Sequence, residues 1–94
     1  MKRQRHFGIA AGTAAREIAV ITAMMDDLRR VVEILECDVT TEESRSRISD
    51  KSDPAYPILA RSLAARRDNL KSTVAALGGR LKALDPTAAH VAAA

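Results

Sequence analysis

From Ile18 to Val39 the large apolar residues recur in alternating steps of three and four: Ile18, Ile21, Met25, Leu28, Val32, Leu35 and Val39. A helix returns a side chain to the same face every 3.6 residues, whereas a half-buried strand alternates at two, so this run specifies a helix with one apolar seam. Its rhythm is the heptad spacing of helices that pack lengthwise against a partner helix. Ala14, Ala11 and Phe7 lie in phase with it. Met24 and Val31 sit beside the seam and widen the apolar face beyond what one antiparallel neighbour covers. That width predicts an assembly of three or four helices.

The chain carries its own first partner. A second seam runs Tyr56, Ala60, Leu63, Arg67, Leu70, Val74, Leu77, Leu81 and Leu84, with Arg67 as its one charged member. Between the seams lie Ile48 to Asp53, where Ser49, Asp50, Ser52 and Asp53 are turn and cap residues. Folding back there sets Val39 against Leu63, Leu35 against Arg67, Val32 against Leu70, Met25 against Leu77 and Ile18 against Leu84. One antiparallel register therefore serves the whole seam. The expected fold is all-α: an antiparallel helical hairpin of two long helices, self-associating into a four-helix bundle.

Local chemistry sets the expected boundaries. Residues 1–12 read as a basic, mobile N-terminal arm and residues 13–85 as the hairpin, followed by an alanine-rich tail at 86–94. Within the hairpin the first helix is expected over about 13–47, with Thr13 as a candidate cap and Gly12 weakening any earlier turn. Glu43 and Arg47, four apart, and Glu42 and Arg45, three apart, can support its polar end. The turn follows at 48–53 and the second helix at 54–84, with Asp53 as N-cap and Pro54 in the first helical position. Gly78-Gly79 resembles a helix stop, but Leu81 and Leu84 stay in phase with Leu77, so the helix is read as passing through. The register sets this pair opposite Met24 and Ala23, and a flexible methionine can fill the space that two missing side chains leave. Asp85-Pro86 is the expected end.

Composition narrows the function classes. Apolar residues make up 47% of the 94 positions but aromatics only 2%, which excludes a core of large rings and favours packing through Leu, Val, Ile, Met and Ala. A net charge of +3 is mildly basic, below a strong nucleic-acid signature. One cysteine, Cys37, allows no internal disulfide and builds no zinc site alone, and its neighbours Glu36 and Asp38 oppose thiolate formation. His6 and His90 stand in opposite tails without ligand-spaced neighbours, so no metal and no cofactor is expected. Asp26 and Asp27 are adjacent and diverge by about 100° on a helix, so they do not work as a carboxylate pair. With no phosphate loop, nucleophile elbow or CxxC, no enzymatic activity is expected. No stretch approaches the roughly 18 uncharged apolar residues of a membrane span, and Arg16 and Glu17 interrupt any signal-like run. A soluble, cytoplasmic protein is expected, and its alanine- and arginine-rich usage fits a bacterial genome.

Association is thus the leading functional expectation: a structural, protein-interaction module forming a homodimer first, with a further protein as a candidate partner. The candidate self-association residues are Ile18, Ile21, Met24, Met25, Leu28, Val31, Val32, Leu35, Leu63, Arg67, Leu70, Val74, Leu77 and Leu81. Arg67 either pairs with Glu33, Glu36 or Asp38 to set register, or lays its stem on the seam and its head in water. Asp38 and Arg66 are expected to pair on the flank. The alternative is a small nucleic-acid-binding bundle contacting phosphates through Lys2, Arg3, Arg5, Arg61, Arg66 and Lys71. From Pro54 to Leu84 there are six basic residues against one acid, Asp68, but they do not share one stripe. Ser52-Asp53-Pro54 between two helices, in a chain of this length, is distantly similar to the turn of type III secretion needle subunits. That resemblance implies a third option, a secretion- or filament-assembly subunit, although Arg67 in the seam and the alanine tail depart from the needle pattern.

Overall fold

A computed structural model of the chain describes the backbone of residues 2–84 and the side chains of residues 12–84. Two helices, α1 (Lys2–Ser46) and α2 (Ile58–Leu84), pack against each other as a hairpin, and no strand occurs among the described residues. The expected helix end at Asp85-Pro86, the tail at 86–94 and His90 lie outside the described residues. So do the side chains of Lys2, Arg3, Arg5, His6, Phe7 and Ala11.

α1 is longer than the sequence boundaries suggest. Its backbone is helical from Lys2, so the segment read as a separate arm continues into the helix. The Thr40-Thr41 pair, unfavourable for a helix in isolation, is accommodated because each hydroxyl donates to a carbonyl one turn back. Thr40 reaches Glu36 at 3.0 Å and Thr41 reaches Cys37 at 2.9 Å. The helix closes at Ser46, where the hydroxyl donates to the Glu43 carbonyl at 3.1 Å and accepts from the Ile48 amide at 3.2 Å. Arg47 then turns the chain with a left-handed backbone, φ 61°. A glycine usually fills that place, because a Cβ there meets the following carbonyl.

α2 begins at Ile58, four residues later than Pro54. The Asp53 carboxylate does cap, but what it caps is a turn: its Oδ1 accepts the Ala55 amide at 2.8 Å while its carbonyl accepts the Tyr56 amide at 3.0 Å. Pro57 pushes Tyr56 out of the helical region and brings no amide of its own, so the helix restarts only beyond it. The Pro57 carbonyl takes the Arg61 amide at 3.1 Å as the first bond of α2. From there α2 runs through Gly78 and Gly79 without a break.

The seam follows the heptad reading. Ile21, Met25, Val32, Leu35 and Val39 are buried on α1, and Tyr56 and Ala60 at the start of the second run. Leu63, Arg67, Leu70, Val74, Leu77, Leu81 and Leu84 are only half-buried. The side chain packed against Gly78 is Met25, whose Cε lies 3.6 Å from where a Cβ would stand; Met24, expected to fill that space, is 45% exposed instead. Met25 already points into the seam, whereas Met24, one residue back, is turned about 100° away from it.

Two helices side by side make one layer, 68 × 27 × 16 Å overall. A stable domain normally needs two layers to enclose its apolar faces. The accessible surface is 7175 Å², against about 5,300 Å² for a compact globule of this mass.

Candidate functional site

The residues marked for association divide into two groups. Ile21, Met25, Val32 and Leu35 are buried in the hairpin's own seam, and Ile18, Leu28, Leu63, Arg67, Leu70, Val74, Leu77 and Leu81 are half-buried along it. Met24 and Val31 lie outside it, 45% and 38% exposed. Two further residues, Val20 and Ile34, join them at 57% and 59%. Val20, Met24, Val31 and Ile34 occupy heptad positions of a second row, completed by Asp27 and Asp38, about 110° around α1 from the buried seam. The same spacing rule identifies this row in the sequence once a second phase is sought. At the hairpin tip Ile58 and Leu59 add further exposed apolar surface, at 82% and 53%.

The flanks of the seam differ in chemistry. On one flank Arg80 donates through Nε and Nη2 to Glu17 Oε1 at 3.0 and 2.8 Å, joining the distal parts of the two helices. Toward the tip, a groove on this flank is lined by Asp38, Thr41, Glu42, Arg45, Leu59 and Leu63. On the other flank Lys71 pairs with Glu36 at 3.1 Å, over a groove lined by Arg29, Val32, Glu33 and Val74. These pairs are exposed and each contributes roughly 0–1 kcal/mol.

The remaining charges are mostly satisfied within their own helix. Asp26 pairs with Arg29 at 3.8 Å, Asp27 pairs with Arg30, and Glu42 pairs with Arg45 at 3.5 Å. Glu43 does not reach Arg47; its Oε2 accepts the Tyr56 hydroxyl at 2.8 Å. Arg67 has an 18% exposed side chain, and its Nε meets Asp68 at 3.1 Å rather than Glu33, Glu36 or Asp38. Glu36 is taken by Lys71, and Arg67 is half-buried at its seam position. Asp38 and Arg66 do not pair with each other, and neither has an ion pair among the described residues.

Tyr56 pins the tip. It is 4% exposed, hydrogen-bonded to Glu43, and covered by the Arg61 guanidinium 5.2 Å from its ring centre. Arg61 also donates to the Lys51 carbonyl at 3.0 Å. Burial first, then the bond to Glu43, raises the Tyr56 pKa above its ordinary value. Opposite in sign, the Asp50 carboxylate is held below its ordinary value by the Ser52 hydroxyl and amide.

The candidate phosphate contacts on α2 are dispersed. Arg61 is engaged at the tip, Lys71 is paired on the Glu36 flank, and Arg66 lies four turns from Arg80 on the Glu17 flank. Among the described residues no group of three or more His, Cys, Asp or Glu is arranged so that it could hold a metal ion, and no helix is long and apolar enough to cross a membrane. Cys37 is exposed, bordering shallow grooves with Glu33, Glu36, Thr40 and Thr41 on the outer side of α1. Comparison with protein-family models, curated proteins and solved structures returns no match.

Proposed function

We propose that this chain is a non-enzymatic interaction module whose hairpins self-associate as a dimer, forming a four-helix bundle. The observation that carries the reading is the second heptad row of α1. Val20, Met24, Val31 and Ile34 stay exposed after the first row has been buried by α2. A helix with two heptad rows is built to touch two neighbours, and α2 supplies one. The half-buried seam of α2 and the single-layer shape support the same reading. In this reading the protein works in the cytoplasm, where the exposed Cys37 thiol stays reduced.

Sedimentation equilibrium tests it. A dimer is expected at micromolar concentration, and Met24→Glu with Val31→Glu should convert it to a monomer that keeps its helical circular dichroism. A compact, stably helical wild-type monomer at that concentration overturns the proposal.

A further inference from the structure

We infer that, in the self-association proposed above and resting on it, the second copy docks on the flank that carries the Glu17–Arg80 pair. Its α2 lies along this chain's α1, and Asp38 of each copy pairs with Arg66 of the other. Residues seven apart return to one face of a helix. Glu17, Met24, Val31 and Asp38 therefore form one row on α1, and Leu59, Arg66, Thr73 and Arg80 form one row on α2. The Glu17–Arg80 bridge at 2.8 Å puts both rows on the same side of the hairpin, and the groove shared by Asp38 and Leu59 does so again near the tip. The opposite flank is closed by Lys71 and Glu36 and has none of the large apolar residues exposed on this one.

Charge selects the arrangement. Of the acids on α1, Glu17, Asp26, Asp27, Glu36 and Glu42 each have an ion-pair partner within the chain and Glu43 holds the Tyr56 hydroxyl, which leaves Glu33 and Asp38 without an ion pair among the described residues. Glu33 borders the groove on the Lys71 flank, so Asp38 is the unpaired acid on this one, and Arg66, also exposed, has no ion pair among the described residues either. The two lie at nearly the same height along the hairpin: Asp38 is 13 residues beyond Met25 and Arg66 is 12 before Gly78, the residue packed on Met25. A two-fold axis parallel to the helices preserves that height. It lays the row with Met24, Val31 and Asp38 against the row with Arg66 and Arg80, so Asp38 meets Arg66 of the other copy twice, by symmetry. A two-fold axis across the hairpin instead sets α1 on α1 and α2 on α2, facing a row with two arginines against its own copy. Like charges in facing rows oppose association, and opposite charges select it.

Mixed charge reversal tests this. Asp38→Arg and Arg66→Asp, at exposed positions, should leave helicity unchanged and each weaken the homodimer by about tenfold or more. Mixing the two variants should restore association to near the wild-type level, because both contacts of the heterodimer then join an arginine to an aspartate. An intrachain pair cannot be rescued by mixing. If the wild type is a dimer that neither substitution weakens, or mixing rescues nothing, the docking geometry is wrong while self-association stands. A monomeric wild type overturns both.

Discussion

Gly78 and Gly79 lie inside α2, and each places in a helix interior the residue that loses most backbone freedom on folding. Replacing a mid-helix glycine by alanine contributes roughly 0.5–1 kcal/mol when the new Cβ has room. At Gly79 that Cβ meets nothing within 4 Å, and at Gly78 it meets the Met25 Cε at 3.6 Å, an ordinary contact with the end of a flexible side chain. Neither φ is positive, so alanine fits both backbones without strain. Gly79→Ala should therefore gain the full amount, Gly78→Ala a similar amount, and the double variant about 1–2 kcal/mol. For a chain of this size that raises the melting temperature by about 4–8 °C per kcal/mol. Urea unfolding at fixed protein concentration is the assay, with the midpoint rising and the m-value unchanged. A Gly79→Ala variant no more stable than wild type would refute a continuous α2, since only a break or left-handed turn there makes glycine the better residue. A loss at Gly78 alone would mean that Met25 cannot give way.

Two further outcomes follow from the tip. Arg47→Gly should stabilise the hairpin by roughly 0.5–1 kcal/mol in urea unfolding, because φ 61° is strained for a residue with a Cβ; a loss would show that the arginine side chain contributes more than the strain costs. The Tyr56 hydroxyl has a folded pKa above its ordinary value. Its contribution is therefore fully present below the unfolded value and lost as pH rises through the folded one. Helicity at a fixed sub-denaturing urea concentration should hold to pH 9 and fall above pH 10 (about the free tyrosine pKa). Tyr56→Phe should remove that alkaline step, and an unchanged step in the variant would assign it to another group.

Much of the hairpin is legible in the residues because heptad spacing is a local property. Ile21, Met25, Val32, Leu35 and Val39 are buried where the first run places them, and Tyr56 and Ala60 open the second. Leu81 and Leu84 argue correctly for a helix through the glycines. The start of α2 was less legible. Asp53-Pro54 carries all the marks of a helix start, yet the same carboxylate serves a turn, and the second proline decides between them. The candidate surface was half legible: Met24 and Val31 stood out by adjacency to the seam, while Val20 and Ile34 needed the second row to be traced in its own phase.

The sequence by itself determines two long amphipathic helices, their antiparallel pairing and the turn chemistry between them, since periodicity and capping act within a few residues. Tertiary structure decides which partner each charged side chain takes. Glu36 goes to Lys71, Glu43 to Tyr56, Glu17 to Arg80 and Arg67 to its neighbour Asp68. Spacing along the chain offers each of these more than one candidate and cannot rank them. Only the relative height and rotation of the two packed helices does, and it also leaves Val20, Met24, Val31 and Ile34 facing outward.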